Sequence, residues 1–417
     1  MNVKFITLGC KTNFYESQAM AELFREKGYE IAKDGDAADI YVINTCTVTG
    51  TGAQKSRQHI RRAKKENPNA IVAVTGCYSQ TEPDEVKKIP EVDVVVGTSG
   101  RVKIVSLVEE AMHGKRVLEH CDIMKERDFE ELCITTTQSR IRANIKIEDG
   151  CNNFCSYCII PYARGPVRSR DIGRIVEEVE KLAEDSYSEI VLTGIHIGSY
   201  GKDLDNKYGL IDVIEAVCAV DGIKRVRLGS IEPVIITDEF VERAAKQKKL
   251  CPQFHLALQS GCDATLRRMR RRYTTEEFYN AAEKLRSNID DVSITTDLIV
   301  GFPGETDEEF EESYNFCKKV GFMQMHIFKY SVRQGTVAEK MENQVPEHIK
   351  DIRSDRMIAL AKEMKENFYA KYKGAQVEVL VEQRTKNGMY HATTANYMDV
   401  YIKSDEDLHG KYIIATL

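Results

Sequence analysis

Three cysteines stand close together in Cys151-Asn152-Asn153-Phe154-Cys155-Ser156-Tyr157-Cys158, at spacings of four and three residues. Thiolates are the ordinary protein ligands of iron–sulfur clusters. Three of them can clasp three irons of a four-iron cluster and leave the fourth iron open. No cysteine or histidine nearby in sequence completes the four-ligand set that a structural zinc ion takes. An open iron is useful where that iron binds a substrate. Three further cysteines, Cys10, Cys46 and Cys77, lie 36 and 31 residues apart, each just past a short apolar run. That interval is close to one strand–helix–strand repeat.

These thiols need elements to position them. Residues 3–8, 39–44, 70–75 and 92–96 read as strands, and 16–27 and 52–66 as helices. The alternation predicts an open parallel α/β sheet domain over residues 1–116. Parallel strands end on one edge, where ligands of such sheets bind. Cys10, Cys46 and Cys77 are therefore expected to converge there. Residues 117–136 read as a linker.

A second alternation occupies residues 137–370. Strands are expected at 143–147, 189–193, 225–228, 254–258, 293–300 and 324–328. Helices fit 172–185, 210–220, 238–246, 276–286, 307–320 and 347–372. Six βα units predict a partial (β/α)6 barrel, with its site at the carboxyl ends of the strands. The Cys151–Cys155–Cys158 loop follows the first of these strands and so belongs to that face. Residues 371–417 read as short strands with polar turns, a small all-β, OB-like domain of a kind that often binds nucleic acid.

With 417 residues, 42% hydrophobic and 30% charged, two or three packed domains are expected. No apolar run is long enough to cross a bilayer, so no membrane partner is expected. The first residues read as a buried strand rather than a signal peptide, which points to the cytoplasm. Twelve cysteines in a reducing compartment suggest metal or catalysis more than a disulfide framework. Cys121, Cys133, Cys218, Cys251, Cys262 and Cys317 show no ligand spacing and read as packing residues. The net charge of −6 does not advertise a nucleic-acid binder. Local runs do more, chiefly Arg267, Arg268, Arg270, Arg271 and Arg272.

The cysteine loop resembles that of radical S-adenosylmethionine (SAM) enzymes. The wider string Ile147-Glu148-Asp149-Gly150-Cys151 through Ile159-Ile160-Pro161-Tyr162-Ala163-Arg164-Gly165 is similar to the methylthiotransferases. So are Ser230-Ile231-Glu232-Pro233, Leu258-Gln259-Ser260-Gly261 and Gly301-Phe302-Pro303-Gly304-Glu305-Thr306. The first motif, Gly9-Cys10-Lys11-Thr12-Asn13-Phe14-Tyr15-Glu16-Ser17, and Thr193-Gly194-Ile195-His196 look most like the threonylcarbamoyladenosine branch. Thr12 and Gly229 depart from the usual pattern, where a more apolar residue and a serine are common.

The resemblance implies a methylthiotransferase domain, a radical SAM core and a C-terminal TRAM domain. It implies two 4Fe-4S clusters, one on Cys151, Cys155 and Cys158 and one on Cys10, Cys46 and Cys77, together with SAM. The implied reaction adds a methylthio group to C2 of N6-threonylcarbamoyladenosine beside the anticodon of tRNA. An adenine C–H bond is too inert for side-chain acids and bases, so a cofactor must supply the reactivity. Candidate SAM contacts are Tyr157, Thr193, Gly194, Ser230, Glu232, Gln259 and Asp297 at the barrel mouth; His196 reads as a packing residue. Arg270, Arg271 and Arg272 are the expected phosphate contacts. The implied partners are the tRNA anticodon stem-loop and a low-potential electron donor such as a flavodoxin, with the sulfur donor unassigned. The alternatives are isopentenyladenosine or a ribosomal-protein aspartate as substrate, and a non-catalytic, metal-stabilised RNA-binding protein.

Overall fold

A computed structural model describes residues 1–33, 35–48, 50–134, 141–205 and 208–417. The expected boundary at 136–137 lies outside the described residues. The first unit is a six-stranded, wholly parallel sheet in the order Glu30–Ile31, Asn2–Thr7, Ile40–Thr45, Ile71–Gly76, Val94–Val96, Val117–Glu119. Its central strands are apolar runs buried on both faces, as a helix-covered parallel sheet requires. Helices Lys11–Glu26, Gly50–Glu66 and Ile104–Met112 cover it, and a separate apolar layer fills each face. Val117–Glu119, in the segment read as a linker, is the sixth strand of this sheet.

Six parallel strands then follow in chain order: Arg142–Lys146, Glu189–Thr193, Arg225–Leu228, Gln253–His255, Ser293–Val300 and Gln324–Lys329. They form two three-stranded sheets joined by the single bridges Val226–Leu250 and Ile231–Leu256. The fourth strand ends at His255, short of the expected 258. The arc is a partial barrel, with its helices outside.

Strand alternation divides the side chains by face. Ala143, Ile145, Ile190, Leu192, Val226, Leu228 and Phe254 pack outward in the main apolar core. Asn144, Val191, Arg227, Gln253, His255 and Thr295 face a polar lumen.

The tail is a four-stranded antiparallel sheet in the order Asp399–Ile402, Tyr390–Thr394, Gln376–Arg384, Tyr412–Thr416, as in a TRAM-like module. It closes the amino end of the barrel. Arg225 Nη1 donates to the Thr393 carbonyl at 3.1 Å, Arg227 Nη1 to that of Ala395 at 2.9 Å, and Ser293 Oγ to that of Asn396 at 2.6 Å. The first unit sits at the opposite, carboxyl end: Thr98 Oγ1 donates to the Ala163 carbonyl at 2.6 Å, and Arg333 Nη2 to Thr47 Oγ1 at 2.8 Å. No helix among the described residues is long and apolar enough to cross a membrane.

Candidate active site

The barrel's cysteine loop hangs from its first strand and is clamped by a short helix the sequence reading missed, Asp263–Arg268. That helix ends as a Schellman turn. Arg270 takes φ +59°, the Arg270 N–H reaches the Arg267 carbonyl at 3.0 Å and the Arg271 N–H that of Leu266 at 2.9 Å. Its freed carbonyls are capped by the loop: Ser156 Oγ donates to Arg268 O at 2.7 Å and the Ser156 N–H to Met269 O at 3.1 Å. The same turn throws Arg271 inward. Its Nη1 lies 3.3 Å from Cys155 Sγ and its Nη2 2.6 Å from Glu232 Oε1.

Glu232 also accepts from Asn153 Nδ2 at 3.0 Å, and its Oε2 lies 3.1 Å from His196 Nε2. Burial alone would raise this carboxyl. His196, Arg271 and Asn153 overcome that and hold its pKa at about 2. Glu232 is thus an anion that anchors two elements to the cysteine loop.

The other triad gathers as its spacing predicts. Asn44 stands opposite both Thr7 and Thr75 across the adjacent strands, so Cys10, Cys46 and Cys77 leave one edge together. A Cβ added to Gly9 would sit 3.0 Å from Cys46 Cβ and 3.2 Å from its Sγ. In three Gly-Cys pairs, Gly9-Cys10, Gly76-Cys77 and Gly150-Cys151, the glycine holds a φ between +92° and +107°, which turns the chain so that the thiol leaves the strand direction.

A buried ionic network joins the two units. Arg164 Nε lies 3.3 Å from Cys77 Sγ, its Nη2 2.6 Å from Asn13 Oδ1, and its Nη1 against Glu16. Lys146 Nζ bridges Glu16 at 2.8 Å and Asp149 at 2.5 Å, and Arg101 pairs with Glu16 at 2.5 Å and Glu130 at 2.8 Å. Arg168 reaches Asp149 at 3.4 Å. Burial would raise Glu16 and Asp149, but the surrounding cations hold both far below the carboxylate range. Arg101, Lys146, Arg164 and Arg168 outnumber Glu16, Glu130 and Asp149 by one positive charge. A thiolate at Cys77 would balance it.

Burial disfavours the thiolate form of these groups. Burial pushes Cys77 to about 11 and Cys151 and Cys158 to about 12. Iron removes that penalty, because a coordinated thiol is deprotonated. Among the described residues no three His, Cys, Asp or Glu side chains close on a point suited to one metal ion. A cubane spreads its ligands farther apart. Three thiols per triad, with a guanidinium aimed at one sulfur of each, fit an iron–sulfur cluster in charge and donor type.

The SAM candidates fall in one region but in different settings. Thr193 is buried at its strand end, and Gly194 has no room for a side chain: a Cβ would lie 2.8 Å from both Glu148 O and Oε2. Ser230 and Asp297 line one lumen cavity of about 250 Å³. Gln259 takes φ +66° and ties its backbone to Asp297 O at 2.9 Å. Tyr157 lays its ring edge-on to Phe302, 6.4 Å between centroids.

Residues 2–97 match the family described as Uncharacterized protein family UPF0004, and residues 145–317 the Radical SAM superfamily. Over 417 residues the chain is 45% identical to the Threonylcarbamoyladenosine tRNA methylthiotransferase MtaB of Bacillus subtilis (strain 168), covering 99% of this chain and 92% of that protein. The chain belongs to the radical SAM methylthiotransferases, in their MtaB-type branch. This methylthiotransferase is also 37% identical to the tRNA-2-methylthio-N(6)-dimethylallyladenosine synthase of Clostridium novyi (strain NT), over 91% of this chain and 85% of that one. Its fold is shared with the radical S-adenosylmethionine methyltransferase TsrM of Kitasatospora setae, with a TM-score of 0.61, 14% identity, and coverage of 81% and 77% of the two chains.

Several residues of this methylthiotransferase site carry weak sequence signals. Nothing in the sequence singles out Asn153 within the cysteine loop, and His196 reads as a packing residue, yet both contact Glu232. Glu148 and Arg164 carry no signal beyond belonging to the loop's flanks. Glu148 is fully buried; its Oε2 accepts from the Ile195 and His196 N–H groups at 3.0 and 2.7 Å, and burial raises its pKa well above the usual range.

The arginine run does not act as one patch. Arg270 and Arg272 are exposed, whereas the Arg271 side chain is only 6% exposed and committed to Cys155 and Glu232. It is therefore corrected from a phosphate contact to a residue of the cysteine site. Of the cysteines read as packing residues, Cys218, Cys251, Cys262 and Cys317 are buried; Cys121 is half-buried and Cys133 exposed.

Proposed function

We propose that this methylthiotransferase adds a methylthio group to C2 of N6-threonylcarbamoyladenosine beside the anticodon of tRNA, with one 4Fe-4S cluster on each cysteine triad. The observation that carries it is Arg164. It sits six residues beyond Cys158 in the barrel and donates to Cys77 of the other unit, which supports a reading in which both triads serve one site. The name of the Bacillus subtilis relative supports the substrate.

Bound at these sites, an open-iron cluster and SAM supply the one-electron chemistry that breaks an adenine C–H bond, and the second cluster supplies sulfur. The chain's own residues do the rest. Glu232, Asn153, His196 and Arg271 hold the cysteine loop against the third and second strands. Glu148 fixes the turn after Thr193, where the amino-acid end of SAM would lie. Arg270 and Arg272 face solvent and can meet phosphate. The partners on this reading are the tRNA anticodon stem-loop and a low-potential electron donor such as a flavodoxin.

The test is anaerobic turnover of reconstituted protein on a threonylcarbamoyladenosine stem-loop, with nucleosides read by mass spectrometry. The expected product gains one methylthio group. An unchanged nucleoside alongside SAM cleavage would reject this substrate.

A further inference from the structure

Lys11 follows Cys10 directly, yet its side chain does not join the ionic network at the barrel mouth. It lines two lumen cavities at once, of about 340 and 250 Å³, which adjoin at Lys11 and Tyr397. The described residues offer its ammonium no hydrogen bond or ion pair. Lys11 is exposed to these cavities, with Arg142 and Arg227 also lining the larger one.

The nearby guanidiniums are already engaged. Arg142 pairs with Glu189 at 2.5 Å and also with Glu382, and Arg227 reaches Glu189 at 3.0 Å. Asp297, across the second cavity, lies 3.4 Å from His255 Nε2. An unpaired, solvent-facing ammonium at the edge of both cavities is free to meet an anion that enters them.

The geometry points to Lys11 as the residue that reads the N6 substituent of the target adenosine, pairing with a carboxylate on that substituent. This rests on the substrate reading above. Sulfur held at Cys10, Cys46 and Cys77 must meet C2 of the base at the barrel mouth. The N6 substituent branches from the ring carbon on the far side of N1 from C2. A threonylcarbamoyl carboxylate therefore lies within a side chain's reach of the carbon that takes sulfur, and Lys11 is the residue next to Cys10. Amides at Asn144, Gln253 and Gln324 line the same cavities and suit the carbamoyl and hydroxyl groups. An isopentenyl group would leave the ammonium desolvated and unpaired, so the same lysine selects against apolar substituents.

The experiment measures anaerobic equilibrium binding of anticodon stem-loops to the iron-loaded enzyme, with iron content determined in parallel. One stem-loop carries threonylcarbamoyladenosine and the other its methyl ester, which keeps the shape and removes the charge. Wild type is expected to bind the acid about tenfold or more tightly than the ester. Lys11→Met should bind both alike, and Lys11→Arg should keep part of the preference. Equal binding of acid and ester by wild type overturns the inference with no variant needed. So does an acid preference that survives in Lys11→Met at full iron content, which would assign the recognition to Arg142 or Arg227. If wild type methylthiolates the acid stem-loop yet shows no acid preference, only the role of Lys11 falls. If it never modifies that stem-loop, the substrate reading falls and takes this inference with it.

Discussion

Arg271 Nη1 donates to Cys155 Sγ across 3.3 Å while its other arm is fixed by Glu232. Arg164 stands to Cys77 in the same relation, at the same distance, with Glu16 and Asp149 as its carboxylates. Each triad thus has one sulfur that accepts from a buried, carboxylate-anchored guanidinium. Hydrogen bonds to cluster sulfurs help set reduction potential.

Arg271→Met should therefore lower the potential of the barrel cluster by ~60 mV or more. That is the one-electron equivalent of a charge-assisted hydrogen bond worth ~1.5 kcal/mol. Redox titration followed by electron paramagnetic resonance measures it. An unshifted midpoint would show that the contact is structural only.

Glu232 predicts a pH effect. Its folded pKa is held at about 2, below the usual carboxylate value, so its pairing stabilises the fold above pH ~4.5 and fades as pH falls towards 2. The full contribution is on the order of 3 kcal/mol. Urea unfolding of iron-free protein should show stability falling more steeply from pH 5 to pH 3, roughly, in wild type than in Glu232→Gln. Parallel slopes would remove this carboxylate from the balance.

Gly76→Ala should cost the N-terminal cluster alone. At φ +99° an added Cβ would lie 2.4 Å from Asn44 Oδ1 and 2.5 Å from the Thr45 carbonyl, so the backbone carrying Cys77 must move. Iron after reconstitution should drop from about eight to about four per chain, with SAM-dependent spectral changes retained. Retention of about eight would mean that Cys77 is not a ligand.

Arg164→Met removes a cation from between Glu16 and Asp149, both fully or almost fully buried. Leaving buried carboxylates under-compensated costs roughly 3–5 kcal/mol. Denaturant titration should detect this as a lower midpoint with an unchanged slope.

The exposed pair Arg270 and Arg272 supplies a contrasting test. Replacing both by alanine should weaken stem-loop binding and flatten its salt dependence while leaving iron content intact. Salt-independent loss of binding would point to folding instead.

Local signals settled much of this protein before any tertiary information. Apolar strand runs alternating with helical stretches, and short strands with polar turns in the tail, declared the two α/β units and the β tail. The 36- and 31-residue intervals were enough to bring Cys10, Cys46 and Cys77 to one edge, because parallel strands one repeat apart must end together. Tertiary packing decided which charges face which. Arg270 and Arg271 are neighbours of one type, and only a left-handed turn at Arg270 sends one to solvent and the other to Cys155. Likewise nothing in the sequence pairs Glu16 with Lys146, Asp149 and Arg164, which the two units bury together. Ion pairing between residues more than a hundred positions apart leaves no periodic trace in a sequence, since a charge is stabilised by whatever lies opposite it in space.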